Sequence, residues 1–259
     1  ENVKNYNKVY YDEEHAISLL NIYSAFFESW PNVASPSIGI SHGIAWDSPQ
    51  NNELSALTFW EQNRRIIESA SLVDKMVSVD TNTANWFQTI DFNLGNTMEY
   101  VPNYVDTNIF KPVKKESDRI VISYPRRLYG ARGLYMVLDI IDEILTKYPH
   151  VDFHFVGKGF EEDTKHVEQK ISKWKDRIKW YSLDPSEMHK AYEVADISLV
   201  PTLHSEGTSL SCLEAMSSGN AVISTRIGGL TDLIINEFNG ILIEPNSSAL
   251  KRAIKELLN

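Results

Sequence analysis

The chain has 259 residues, 42% of them apolar, and a formal net charge of -10. That size and apolar share suit one large or two modest packed domains. The acidic balance, with no run of Lys and Arg, argues against broad nucleic-acid binding and against an electrostatic membrane anchor.

The single cysteine, Cys212, excludes an intramolecular disulfide and fits a reducing compartment. Its place between apolar neighbours in a helical pattern reads as a buried thiol. No stretch has the pattern of a signal peptide or the length of a membrane span. The chain begins at Glu1 rather than Met, which leaves room for a segment upstream.

Taken in order, residues 1–30 start polar and then give a helical pattern from Glu13 to Ser29, with Ile17, Leu20, Ile22, Ala25 and Phe26 among its apolar positions; Trp30-Pro31 ends it. A strand over Ser37 to Ser41 runs into the turn His42-Gly43. A helix from about Glu53 to Ser69 follows, with Leu54, Leu57, Trp60, Ile66 and Ile67 on a mixed face. Then come a strand, Lys75 to Val79, a turn or cap at Asp80-Thr81-Asn82, a short helix around Thr83 to Thr89, and an extended Glu99-Tyr100-Val101. Prolines 102 and 112 bracket a loop, and the domain boundary is placed there, dividing 1–104 from 105–259.

From Arg119 the pattern becomes regular. Strands are expected at Ile120 to Ser123, Val151 to Val156, Ile178 to Tyr181, Ile197 to Val200, Ala221 to Ser224 and Ile241 to Ile243. Helices are expected at Gly133 to Tyr148, Glu161 to Lys173, Pro185 to Val194, Leu210 to Ser218, Gly229 to Asn236 and Ser247 to Leu258. This alternation implies an α/β fold with a parallel, doubly wound sheet.

The chemistry-bearing residues cluster at strand ends. After Ile197 to Val200, Pro201 stops the strand, and Gly207-Thr208-Ser209 lead into the Leu210 helix. The unpaired amides at such a helix start favour anionic oxygens. Two carboxylates frame the loop, Glu206 and Glu214; a Ser211–Glu214 capping box would serve Glu214 equally well. After the Ile120 strand come Arg126, Arg127 and Arg132, donors matched to phosphate oxygens but also compatible with a solvated basic loop. Gly157-Lys158-Gly159 and Gly228-Gly229 end two further strands, as tight structural turns or as close approaches to a phosphate. His42 ends a strand in the first half.

Pro201, Glu206-Gly207, the small polar helix start and Glu214-Ala215-Met216 followed by Gly219 and a new strand resemble the retaining glycosyltransferases of family 4. The resemblance extends to Arg127-Leu128 with Arg132-Gly133, to Val156-Gly157-Lys158-Gly159, to Gly228-Gly229, and to Asn103-Tyr104-Val105-Asp106 before Phe110-Lys111-Pro112. Arg132 stands where the family has lysine, and Tyr104 where it has glycine.

The resemblance implies a GT-B-like α/β fold of two Rossmann-like domains with parallel sheets. The N-terminal one, on the acceptor side, departs from the family pattern and is expected to be short or truncated; the C-terminal one is expected to bind the donor. It implies transfer of a sugar from a nucleotide-diphosphate sugar, UDP- or GDP-linked, to a saccharide or lipid-linked acceptor. Arg127 and Arg132 would hold the diphosphate, Ser209 and Leu210 would offer it backbone amides, and Glu214 would accept the ribose hydroxyls. Glu206 and His42 would face the sugar, with Gly207, Thr208, Gly157, Gly159, Gly228 and Gly229 lining the donor site.

No Asp-x-Asp occurs, so no metal site is expected and no cofactor beyond the donor. The expected setting is cytoplasmic polysaccharide or glycolipid assembly, with peripheral membrane contact through N-terminal or upstream segments. The alternatives are a sugar-nucleotide epimerase on the same fold and a non-catalytic nucleotide-sugar-binding subunit.

Overall fold

The computed structural model describes residues 20–28, 32–44, 56–115, 117–204 and 206–259. The described residues form two parallel sheets. The first joins β1 (Asn21–Tyr23), β2 (Ser37–Ser41), β3 (Lys75–Ser78) and β4 (Glu99–Tyr100) in that order. Its helices are α1 (Ala56–Leu72), α2 (Thr81–Ile90) and α3 (Phe92–Asn96).

The second sheet contains β5 (Ile120–Tyr124), β6 (Val151–Val156), β7 (Ile178–Tyr181), β8 (Ile197–Val200), β9 (Ala221–Thr225) and β10 (Ile241–Ile243). Between them run α4 (Leu134–Lys147), α5 (Glu161–Lys173), α6 (His189–Glu193), α7 (Leu210–Ser217) and α8 (Leu230–Leu233), and α9 (Ser247–Leu258) follows β10. The strand order is β10-β9-β8-β5-β6-β7. Chain order reverses between β5 and β8, which pair at Ile122–Ile197 and Ser123–Ser198.

Both faces of the second sheet are covered. In α4, Val137, Ile140, Ile141 and Ile144 recur at helical spacing and are buried with Ile122, Phe153 and Phe155 of the strands and Leu250 and Ile254 of α9. Each such side chain contributes about 1.5–3 kcal/mol on full burial. The other face buries Tyr192, Val200, Cys212, Ala215, Val222 and Leu230. A smaller core under the first sheet gathers Phe26, Ala70, Val73, Met76 and Phe87.

The connection between the sheets is tied to the second one. The Phe110 ring packs edge-on against Tyr192 at 5.8 Å, and Ser217 Oγ donates to the Phe110 carbonyl.

Several expected elements take a different form. The helix expected over Glu13 to Ser29 is replaced, within the described residues, by strand β1 and a 3-10 turn at Phe26–Glu28; the remainder of that expectation, with Trp30-Pro31, lies outside them. The free edge of β2 decides this, since Asn21–Tyr23 pairs with Ser37–Gly39 and the Asn21 amide donates to the Pro36 carbonyl at 2.9 Å. Sheet pairing thus overrides a local helical period.

The expected start of α1 at Glu53 also lies outside the described residues. Helix α2 begins earlier than expected because Asp80 caps it, accepting from the Thr83 amide at 2.7 Å. The Pro185 helix splits into a 3-10 turn, Pro185–Glu187, and α6. The helix expected over Gly229 to Asn236 stops at Leu233. Beyond it, Asn239 Oδ1 accepts from the Ile235 amide and Asn236 Oδ1 from the Leu242 amide, both at 2.8 Å. These side-chain bonds offer the backbone an alternative to another helical turn.

Candidate functional site

In an open α/β sheet, the crevice outside the carboxyl ends of the strands at the point of order reversal is where ligands bind. Here that point lies between β5 and β8, and the loops leaving these strands carry the arginines and Glu206. The Glu206 carboxylate is paired with Arg126, accepts a hydrogen bond from Thr202 Oγ1, and lies 2.9 Å from Arg132 Nη1. Arg126 also donates to Thr202 Oγ1, closing a triangle of three side chains.

Burial opposes ionisation of Glu206, but Arg126 and Arg132 outweigh it and hold its pKa below the usual value. Burial likewise disfavours the Arg126 cation, and Glu206 more than compensates. The Arg126 side chain is 5% exposed and that of Arg132 32%.

Arg127, the arginine the sequence motif singles out, is exposed. Tyr124, buried under the loop, donates its hydroxyl to the carbonyls of Arg127 and Arg132 at 3.1 and 3.0 Å. Arg126 and Thr202 were not assigned from the sequence. Their signal was the three-arginine cluster itself and a polar residue directly after the proline that stops β8.

Glu214 lies on α7, and its Oε2 accepts from the Tyr192 hydroxyl at 2.7 Å. Burial raises its pKa, and the Tyr192 bond counteracts only part of that. The expected capping box does not form. Ser209 holds the N-cap position of α7 without a side-chain bond, and Ser211 Oγ instead donates to the Pro125 carbonyl at 3.2 Å. Both members of the pair are engaged by tertiary partners, Tyr192 and the arginine loop. Cys212 on the same helix is buried, and that burial pushes its thiol up to about 12.

The glycine turns pack against these loops. A Cβ on Gly157 would stand 2.9 Å from the Arg126 carbonyl carbon, and one on Gly159 2.5 Å from the Leu128 carbonyl oxygen. The Leu128 amide donates to the Lys158 carbonyl at 2.9 Å. Gly228, at φ +51°, lies so close to Glu206 that a Cβ would be 2.7 Å from its amide nitrogen, and the Gly229 amide donates to the Glu206 carbonyl at 2.7 Å. The Gly228-Gly229 turn therefore clamps the Glu206 backbone while the arginines hold its side chain.

The first sheet meets the same loop. A Cβ on Gly207 would stand 2.5 Å from the His42 carbonyl oxygen, so His42-Gly43 lies directly against it, with the His42 side chain exposed. Asn103 Nδ2 donates to the Thr208 carbonyl at 2.9 Å, and Thr208 Oγ1 donates to the Val79 carbonyl. Asp232 accepts from the Thr81 amide and hydroxyl at 2.8 and 2.6 Å. Asp80, fully buried beside Gly229, has its carboxyl pKa raised by burial, with Asp232 adding to the rise.

Leu210 is exposed at the start of α7. Among the described residues, no helix is long and apolar enough to cross a membrane, and no group of three or more His, Cys, Asp or Glu side chains is gathered as for a metal ion.

The chain is similar to D-inositol 3-phosphate glycosyltransferase of Segniliparus rotundus, 24% identical over 161 residues that make up 57% of this chain and 36% of that protein. It spans about a third of the length of the first curated relatives it matches. Among solved structures, sucrose-phosphate synthase from Thermosynechococcus elongatus aligns with a TM-score of 0.75 at 17% identity, over 92% of this chain and 64% of that one. The Anabaena protein HepE, solved in complex with UDP-glucose, aligns with a TM-score of 0.69 at 17% identity, over 86% and 63%.

These likenesses identify the two-sheet arrangement as the GT-B fold. The family model described as glycosyl transferases group 1 matches residues 119–259, more than half of the chain. The chain belongs to the glycosyl transferases group 1 family.

Proposed function

We propose that the chain forms the donor-binding domain, 105–259, and part of the acceptor-side domain, 1–104, of a retaining, metal-independent hexosyltransferase. It would move a sugar from a UDP- or GDP-sugar to the hydroxyl of a saccharide or lipid-linked acceptor in polysaccharide or glycolipid assembly. The observation that carries this reading is the pairing of Glu206 with two arginines in the crevice where strand order reverses.

The chemistry follows from charge. Breaking a sugar–phosphate bond develops negative charge on the leaving diphosphate and positive charge on the sugar, so fixed cations and oriented amides at the phosphate lower the barrier. Arg127 and Arg132 are the donors to the diphosphate, joined by the backbone amides of Ser209 and Leu210 at the start of α7. Gly157, Gly159, Gly207, Gly228 and Gly229 keep the lining backbone close to the ligand, and Thr208 stands beside them. Glu214 accepts from the ribose hydroxyls, with the Tyr192 hydroxyl fixing its other side.

Glu206 faces the sugar, and His42 approaches it from the first sheet. In front-face transfer the donor's own phosphate takes the proton of the incoming hydroxyl, and configuration is retained. Two arginines and the α7 amides supply the positive charge that a divalent cation would otherwise bring. Relatives and solved neighbours named for glycosyl transfer or for bound UDP-glucose support the donor class. A cytoplasmic setting, at the inner face of the membrane for a lipid-linked acceptor, belongs to the same proposal.

The test is a calorimetric titration of the purified chain with UDP, GDP and ADP, each with and without EDTA, repeated on Glu214→Ala and Arg132→Ala. Binding of one nucleotide regardless of EDTA, weakened in both variants, is the expected result. Binding that EDTA abolishes would refute the metal-independent mechanism, and no binding at all would refute the donor site.

A further inference from the structure

The geometry points to Arg126 as the resident counter-ion of Glu206, a positioning residue that never touches the donor and whose task is to leave Arg132 free for a diphosphate. The inference rests on the donor-site reading above and adds a residue to which that reading gives no role.

Three observations carry it. The two guanidinium groups that share the Glu206 carboxylate differ in access: the Arg126 side chain is 5% exposed and that of Arg132 is 32% exposed. Arg126 is also anchored twice over, by Thr202 Oγ1 and by Glu206, and its carbonyl lies so close to Gly157 that a Cβ there would stand 2.9 Å from the carbonyl carbon. Arg132 sits on the short 3-10 turn Gly130–Arg132 at the mouth of the crevice. A ligand entering from solvent therefore meets Arg132 and not Arg126.

The charge balance gives the arrangement its consequence. Two cations against one carboxylate leave a surplus of one positive charge, and that surplus resides on the more accessible group. Without Arg126, Arg132 would be the sole cationic partner of a carboxylate that is only 11% exposed and otherwise accepts only from the neutral Thr202 hydroxyl. A buried carboxylate stripped of its counter-ion holds the remaining one tightly. A diphosphate would then have to compete with Glu206 for Arg132. With Arg126 in place, Arg132 can exchange Glu206 for phosphate while Glu206 stays paired, ionised and oriented.

The argument predicts a specific coupling between positions 126 and 206. Calorimetric titration of the full chain with UDP, GDP and inorganic pyrophosphate would compare wild type, Arg126→Met, Arg126→Lys, Glu206→Gln and the double variant Arg126→Met/Glu206→Gln, with thermal melting to verify folding. Arg126→Met should weaken the bound probe at least about tenfold, and Arg126→Lys should recover most of that loss. In the Glu206→Gln background, where no carboxylate competes for Arg132, Arg126→Met should cost less than about twofold.

Equal losses in both backgrounds would mean that Arg126 acts on the anion directly, and would overturn the inference. Unchanged affinity in Arg126→Met, with wild-type binding intact, would overturn it as well and leave the donor site standing. A wild-type chain that binds none of the three probes would remove the donor-site reading and this one together. If Arg126→Met does not fold, the double variant decides: affinity within about twofold of Glu206→Gln supports the counter-ion role, and a larger loss overturns it.

Discussion

Gly133 joins the arginine loop to α4 with φ +81°, and a Cβ added there would stand 2.8 Å from the Pro201 carbonyl carbon, 2.9 Å from the Pro201 ring, and closer still to the Pro201 oxygen. Gly133→Ala therefore carries two costs. The left-handed backbone disfavours any residue with a Cβ by about 1–2 kcal/mol. The overlap falls on backbone at the end of β8, which cannot rotate away as a side chain can, and adds about 1–3 kcal/mol.

Together they come to about 2–5 kcal/mol, a fall in Tm of roughly 4–20 °C for a domain of this size. Because Arg132 precedes Gly133 and Pro201 precedes Thr202, relief of the overlap also separates the two loops that share Glu206. Nucleotide affinity should fall with the melting temperature. Differential scanning calorimetry and a UDP titration measure both. Gly130→Ala is the control: its Cβ would meet only the Tyr135 ring, at 3.3 Å, where a partly exposed side chain can shift, so stability should stay within about 0.5 kcal/mol. A Gly133→Ala chain that melts within about 2 °C of wild type with unchanged affinity would refute the steric argument.

Replacing Arg127 or Arg132 with Ala should cut turnover by about a hundredfold; full sugar transfer by both variants would sink the diphosphate assignment. Burial raises the Glu214 carboxyl above 4.5, so the folded chain holds the ionised form at a cost that appears as pH rises through that window. Glu214→Gln should accordingly raise Tm at pH 7.5, lose that advantage near pH 4, and weaken nucleotide binding; a lower Tm at pH 7.5 would contradict the linkage.

Asp232→Ala removes both bonds to Thr81. It should cost about 1–3 kcal/mol in urea unfolding and speed protease cleavage in the connection between the sheets, which would stay unchanged if the contact did not hold them together. His154, buried near Lys179, has its pKa lowered from 6.5 to about 4. As pH falls, the unfolded chain takes up a proton first, so stability should decline between pH 6.5 and 4. In His154→Gln that decline should be shallower, and an identical slope would exclude His154 as its source.

What the sequence determined by itself is most of the second half of the fold, together with strands β2 and β3 of the first. From Ile120 onward, runs of β-branched residues alternate with amphipathic segments, and both periods are local properties that survive without knowledge of the partner. For that reason α5, β6, β7, β8, β10 and α9 fall where the pattern puts them. The strand-loop-helix stretch from β8 to α7 was legible too, because a turn-rich loop between an apolar run and an amphipathic segment shows in the chain order alone, whereas the order reversal beside it shows only in the strand pairing.

Tertiary structure decided the rest. Residues 21–23 carry a helical period yet complete a sheet edge, since hydrogen bonds to β2 outweigh a weak local preference. Ser211 and Glu214 have capping-box spacing, but Pro125 and Tyr192 claim them from distant parts of the chain. Arg126 and Arg127 have the same local chemistry as neighbours in a loop, and the motif pointed to Arg127 alone. Which one turns inward is settled by a carboxylate 80 residues away, because a buried charge is tolerated only where its partner waits.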